Sequence, residues 1–269
     1  LMENAARIMN PAKTAEYLKI HPGLRTFRGE HLIIERSKNW AFIDETDKYA
    51  FTERMKCSRG GPSPAEYAAK HHVSIAVARK SVDECTLFPV PAALAVLNIF
   101  APQKWLDPTA GWGDRLRAAL IYGVEKYRGI DSNIALAGVY KAIAAGTTRD
   151  VAVISSRFQD AVIDDKFDLV FTSPPFGSFE LYKGATNWAD EEHFMSEFFD
   201  PLMKFASEHM TPAGHIVLYI EQIDEDAMIQ RTAVTNPELV YEGCFYYEGV
   251  SPRPYHTWKR QTLKTVYLV

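Results

Sequence analysis

Two short stretches of this chain bring together residue types that chemistry needs. The first reads Asp107-Pro-Thr109-Ala-Gly111-Trp-Gly113-Asp-Arg, a carboxylate followed by two glycines with one residue between them. Glycine lets a backbone approach a ligand closely, and a helix opening behind such a turn offers free N–H groups and a positive dipole end. The spacing differs from the Gly-x-Gly-x-x-Gly of dinucleotide sites, and no Gly-Lys-Ser/Thr phosphate loop is present. Asp131 ends a β-rich run shortly after, where a carboxylate is placed to take both hydroxyls of a ribose. Packing alone can also require glycine at a strand-to-helix turn, an alternative that applies most to Gly113.

The second stretch is Ser173-Pro174-Pro175-Phe176, which follows the apolar run Phe167–Thr172. Successive prolines hold the backbone extended and remove two N–H donors. Rigid carbonyls are left beside a hydroxyl and an aromatic face. In open α/β sheets the C-terminal edge of the strands is where ligands bind.

The elements that must position these residues are legible from about residue 86 onward, where β-rich runs alternate with helical patterns as in a parallel α/β sheet. The pattern predicts strands at Lys104–Asp107, 127–131, 151–154, Phe167–Thr172 and 215–221, and helices at Asp114–Tyr122, 134–145 and 191–210. Thr211-Pro-Ala-Gly214 reads as a stop between the last helix and the fifth strand. The runs Leu239–Tyr247 and 263–269, with no helix between them, predict an antiparallel pair closing the sheet edge. Residues 1–85 differ: a helix over 5–18, a strand-like run at 31–36, a Gly/Ser/Pro-rich stretch, then helix over 65–84. A boundary near Cys85 separates an accessory or substrate-recognition segment, 1–85, from the main domain, 86–269.

Taken in order, Asp107, Gly111-x-Gly113, Asp131 and Ser173-Pro-Pro-Phe176 resemble the class I S-adenosylmethionine-dependent amino methyltransferases of nucleic acids. The longer forms around both motifs are similar to DNA methyltransferase-like proteins of phages and large DNA viruses. The resemblance implies a Rossmann-like, mostly parallel sheet with an antiparallel C-terminal edge pair, a mainly helical N-terminal segment, and S-adenosyl-L-methionine as cofactor. A Ser-Pro-Pro-Phe loop in that family is mostly associated with cytosine N4, and Asp-Pro-Pro-Tyr with adenine N6. By the same resemblance Ser173, Pro174, Pro175 and Phe176 are the catalytic loop, and Asp107 positions the methionine amino end. Thr109, Gly111 and Gly113 belong to the cofactor turn, Asp131 holds the ribose, and Phe158 or Asp160 contacts adenine. Asp160 reads equally as a helix N-cap. Phe88 opens a segment that covers the methionine end, and Tyr182, Lys183 and Trp188 lie where substrate passes, or in a plain solvated loop.

The chemistry is coherent. A base amine is a poor nucleophile because its lone pair is delocalised into the ring. Ser173 Oγ and the Pro174 carbonyl each accept an N–H, favour a pyramidal nitrogen and stabilise its developing positive charge. Phe176 stacks on a base flipped out of its duplex. No Pro-Cys nucleophile stands in the loop, which argues against C5-cytosine methylation.

Among 269 residues, 47% are hydrophobic and 24% charged, which excludes disorder. The net charge of −4 argues at first against nucleic acid. Its distribution is uneven: 14 Lys/Arg against 11 Asp/Glu over 1–90, 12 against 23 over 91–250, and four against none over 251–269. Arg253, Tyr255, His256, Trp258, Lys259, Arg260 and Lys264 combine cations with stackable rings, with Arg253 and Trp258 as substrate contacts; the alternative is a basic loop that meets only solvent. Residues 64–81 have helix-turn-helix spacing, with His72 where glycine is usual; two amphipathic helices packed on the main domain would look the same. Cys57, Cys85 and Cys244 lie far apart and read as reduced thiols, and His71 and His72 lack partners, so no metal set is predicted. Neither a secretion signal nor a bilayer-length apolar run is evident, which predicts a cytoplasmic or nucleoid-associated protein. The partner expected is nucleic acid, DNA before RNA, with a protein partner as a further source of target recognition. RNA or protein-glutamine acceptors, and a non-catalytic nucleic-acid-binding subunit, are the competing functions.

Overall fold

The computed structural model describes residues 24–27, 31–34, 64–75, 77–78, 88–175, 188–220, 223–247 and 254–261. The helix expected over 5–18, and Phe176, Tyr182, Lys183, Arg253 and the run 263–269, lie outside them. Nine strands form one sheet: β1 (Leu24–Phe27), β2 (His31–Ile34), β3 (Lys104–Asp107), β4 (Lys126–Asp131), β5 (Asp150–Ser155), β6 (Phe167–Thr172), β7 (Met210–Tyr219), β8 (Leu239–Tyr247) and β9 (Pro254–Arg260). Their spatial order is β1-β2-β8-β9-β7-β6-β3-β4-β5. Strands β7, β6, β3, β4 and β5 run parallel, while β9 is antiparallel to both neighbours, β7 and β8. The order turns back at β3, which lies between β4 and β6. That is a topological switch point, and it opens a crevice at the C-terminal ends of those strands.

The described helices are α1 (Pro64–His71), α2 (Val90–Phe100), α3 (Asp114–Tyr122), α4 (Ala137–Ile143), α5 (Glu191–Phe194), α6 (Asp200–His209) and α7 (Glu225–Thr235). One face of the sheet packs α2 and α3 on Trp105, Leu169, Phe171, Val217 and Tyr255. The opposite face packs α5 and α6 on Leu106, Val170, Ile216, Leu218 and Trp258. Consecutive residues of β3 and β6 thus feed opposite cores, so these strands are apolar on both sides. Helices α5 and α6 are joined by a π-helical turn, Met195–Phe199, immediately ahead of Pro201, which has no N–H to give the regular ladder. After α1 the left-handed residue His72 has φ 53°, the Ala78 N–H donates to the Ser74 carbonyl, and Ala68 and Ala78 are buried.

The mostly parallel sheet with an antiparallel C-terminal pair is as the sequence predicts, with three corrections. Thr211–Gly214 is not a stop: β7 begins at Met210, and the extra residues are absorbed as an irregularity where Phe167 pairs Met210 but Leu169 pairs His215. The partner of β8 is β9, not the run 263–269. Residues 254–260 are therefore not a basic loop. Tyr255, His256, Thr257 and Trp258 are buried because their strand has neighbours on both sides. Nor does β8 end the sheet, since β2 pairs with it and β1 with β2, so the N-terminal segment contributes strands as well as helix.

Trp258 is 1% exposed and packs at 5.1 Å from the Tyr241 ring, and its Nε1 meets no hydrogen-bond partner among the described residues. It is a core residue and cannot stack on a nucleic-acid base from this position. Trp258→Ala should cost about 3–5 kcal/mol in urea denaturation. Trp258→Phe keeps the ring and removes an unsatisfied donor, so its cost should stay within about 1 kcal/mol.

Candidate active site

The glycine turn follows β3 directly. Gly111 has φ +61° and Gly113 has φ +92°, both in the left-handed region that a side chain disfavours. The two glycines differ in what surrounds them. A Cβ on Gly113 would stand 2.7 Å from Ile143 Cδ1, the movable tip of a side chain, so it is φ rather than packing that demands glycine there. A Cβ on Gly111 would meet nothing nearer than 3.8 Å, so this residue is fixed by backbone conformation and faces more open space. Gly113 also stands at the N-cap of α3.

Asp131 closes the turn against β4. Its Oδ2 accepts the Gly111 N–H at 2.8 Å and its Oδ1 accepts the Asn133 N–H at 2.8 Å. Burial outweighs these two bonds and pushes its pKa up to about 6. Tyr140 donates its hydroxyl to the Gly111 carbonyl, so turn, β4 and α4 are locked together.

Asp107 departs from the role its position implies. It is 0% exposed and accepts from Arg115 Nε (2.8 Å), Arg115 Nη2 (3.2 Å), Tyr127 Oη (2.9 Å) and Thr172 Oγ1 (2.7 Å). A carboxylate so enclosed does not face a ligand's amine; its work is to anchor the turn. Burial by itself would lower the Arg115 pKa, but the adjoining Asp107 charge outweighs it and holds the guanidinium above its ordinary value. Arg115 also donates to the Thr109 carbonyl and lies 5.1 Å over the Phe88 ring. Phe88 thereby adjoins the turn from the side of α2.

The Ser173-Pro174-Pro175 segment leaves β6 beside this turn. Ser173 and Pro175 are half-buried and Pro174 is buried. Thr109 Oγ1 donates to the Ser173 carbonyl at 2.9 Å and stands 2.6 Å from Thr172 Oγ1. Residues 64 apart in sequence thus share one hydrogen-bond network at the switch point.

Other expected contacts are redirected by packing. Phe158 is buried, 5.3 Å edge-on from Phe198, so it belongs to the core and offers no face to an adenine ring. Asp160 ends its 3-10 turn without capping it, and its carboxylate pairs with Arg157 at 2.8 Å. Trp188 is buried against Phe194 and Phe198. Lys259 pairs with Glu242, and Arg260 donates to the Ser207 carbonyl at 2.6 Å. One residue that motif reasoning missed is Ile134, 77% exposed in the turn that follows β4 and Asp131.

Cysteine spacing predicted no metal set, yet the fold gathers Glu225, Cys244 and His256 with ligand atoms within 4.8 Å of one another. The Tyr241 hydroxyl bridges them, 2.8 Å from His256 Nδ1 and 3.1 Å from Glu225 Oε1, and it shares a hydrogen bond with Cys244. Burial lowers the His256 pKa to about 4, so the imidazole is neutral. The four groups satisfy one another as a buried polar network.

No protein-family model matches the chain, and no curated protein matches it in sequence. Solved structures do. A Listeria monocytogenes protein assigned as a class I S-adenosylmethionine-dependent methyltransferase is 11% identical with a TM-score of 0.50, over 75% of this chain and 70% of that one. The chain has the class I methyltransferase fold. The N-methyltransferase NodS of Bradyrhizobium japonicum WM9, solved with S-adenosyl-L-homocysteine, is 11% identical with a TM-score of 0.45, over 64% of this chain and 85% of that one. In this fold the glycine turn, Asp131 and the Ser-Pro-Pro segment lie at the C-terminal ends of the neighbouring strands β3, β4 and β6. Among the described residues, no helix is long and apolar enough to cross a membrane.

Arg115→Met would leave the Asp107 carboxylate buried without its cation and should cost about 3–5 kcal/mol. Chemical denaturation measures this directly, and a loss below about 1 kcal/mol would show that the pair is not the anchor of the turn.

Proposed function

We propose that the protein transfers the methyl group of S-adenosyl-L-methionine to the exocyclic amine of a nucleic-acid base, DNA cytosine N4 first and adenine N6 second. The observation that carries the proposal is the joining of two motifs across the switch point. The loop opening Ser173-Pro174-Pro175 is held against the glycine turn by Thr109, so a group bound at the turn and a group held by the loop are neighbours.

The crevice suits the cofactor. Gly111 leaves its turn open, and the Asp131 carboxylate at the end of β4 matches a ribose diol. Ile134, in the turn behind Asp131, presents apolar surface of the kind an adenine ring covers. When bound, the cofactor supplies an electrophilic sulfonium methyl. The chain's own work is to receive the acceptor. Ser173 Oγ and the Pro174 carbonyl take the two amine hydrogens, concentrate the lone pair on nitrogen and offset its growing positive charge. Phe176 stacks on the extruded base. The prolines keep these acceptors rigid, so little reorganisation is needed during the reaction.

The target is chosen elsewhere. With Tyr255, His256 and Trp258 in the core and Lys259 and Arg260 engaged, strand β9 supplies no basic groove. The N-terminal segment, including helix α1, and a protein partner are the proposed sources of grip on the polyanion. Binding should be weak and strongly salt-dependent.

Calorimetry with S-adenosyl-L-methionine is the first test, and absence of heat would remove the cofactor reading. Ribose hydroxyls donate to the ionised carboxylate, so affinity should hold above pH 6 and fall by about tenfold per unit below it as Asp131 protonates. Asp131→Asn should flatten that profile. Tritiated methyl transfer offered to DNA, RNA and protein, followed by nucleoside mass spectrometry, identifies the acceptor; label confined to protein would overturn the base-amine assignment. Ser173→Ala should lower turnover while leaving the heat of cofactor binding intact.

A further inference from the structure

Thr109 belongs to the cofactor turn by sequence, yet its hydroxyl is engaged by the end of β6 and the residue after it. Every polar atom of the residue is used within the protein. Its N–H donates to Thr172 Oγ1 at 3.1 Å, its carbonyl receives Arg115, and its hydroxyl lies 2.6 Å from Thr172 Oγ1 and 2.9 Å from the Ser173 carbonyl.

Counting protons gives this cluster a direction. The Thr172 hydroxyl has one hydrogen, and it goes to Asp107 Oδ1 at 2.7 Å, a carboxylate being the strongest acceptor in reach. Thr172 Oγ1 therefore receives in its pairing with Thr109. Thr109 in turn has one hydrogen and two acceptors, Thr172 Oγ1 and the Ser173 carbonyl. That one hydrogen is shared between the two, so the hold of Thr109 on the Ser173 carbonyl is one branch of a three-centre bond whose other branch ends on Thr172.

The rings of Pro174 and Pro175 fix φ at both positions, so the orientation of the Ser173–Pro174 peptide is one of the few backbone freedoms left where the loop leaves β6. Thr109 holds this peptide by its only carbonyl, and it does so from the turn that adjoins the cofactor crevice.

We propose that Thr109 is a positioning residue that sets the acceptor loop in register with the cofactor turn, rather than a cofactor contact. The inference rests on the proposed methyl transfer. It assigns Thr109 to turnover and not to cofactor affinity.

The test uses the full chain with Thr109→Val, which keeps the shape and removes the hydroxyl, and Thr109→Ser, which keeps the hydroxyl. Thr109→Ala is the second variant should valine lower the thermal midpoint. Calorimetry with S-adenosyl-L-homocysteine and steady-state transfer to DNA are measured on each. Valine and alanine should lose about tenfold in kcat, the equivalent of one hydrogen bond, with homocysteine-analogue affinity and cofactor KM within about threefold of the wild type. Serine should stay within about twofold. Wild-type kcat in the valine variant, an equal loss in serine, or a loss lying wholly in cofactor affinity would overturn the proposal. Absence of cofactor heat in the unsubstituted protein would instead overturn the methyl-transfer reading on which it rests.

Discussion

The buried Asp107 carboxylate is the constraint around which the rest of the site is built. An ionised group taken out of water is costly unless its oxygens are filled with donors. Here the donors come from three elements: Arg115 on α3, Tyr127 on β4 and Thr172 on β6. Satisfying one side chain at the end of β3 therefore fixes the helix behind the turn and the strands on either side. The same network extends through Thr109 to the Ser173 carbonyl, which ties the Ser-Pro-Pro segment to the glycine turn.

The acidic centre of the chain also takes on a structural meaning. Many of its carboxylates are neutralised locally. Lys126 stands between Asp150 and Asp165 at 3.0 and 2.7 Å, and Arg231 joins Glu192 and Asp200 at 2.7 and 2.8 Å. Pairs this exposed add little stability, but they leave less field to repel a polyanion than the formal count suggests. Asp131 is different. Raised by burial and held by two backbone N–H groups, it keeps its carboxylate at the crevice where a diol would meet it.

Much of the fold was legible residue by residue. Strands β3 and β6 are apolar runs ended by chemistry-bearing residues, and the glycines at 111 and 113 mark the turn because only glycine accepts their backbone angles readily. The misassignments share one cause. Tyr255, His256 and Trp258 look like a basic, stackable loop in one dimension because amphipathic residues serve both surfaces and cores. Only the insertion of β9 between β7 and β8 buries them. Phe158 was misassigned in the same way, its ring being claimed by Phe198 and Phe205.

By itself the sequence determined the α/β alternation, the two motifs and their order, since these rest on local conformational preferences and on hydrophobic period. Tertiary structure alone decided what each motif residue does. Asp107 became an anchor because Arg115, Tyr127 and Thr172 enclose it, and Thr109 joined the acceptor loop because β6 lies beside β3. Glu225, Cys244 and His256 met around Tyr241 for the same reason. Hydrogen bonds act over about 3 Å, and sequence separations of 20 to 65 residues carry no record of that distance until the strands are laid in order.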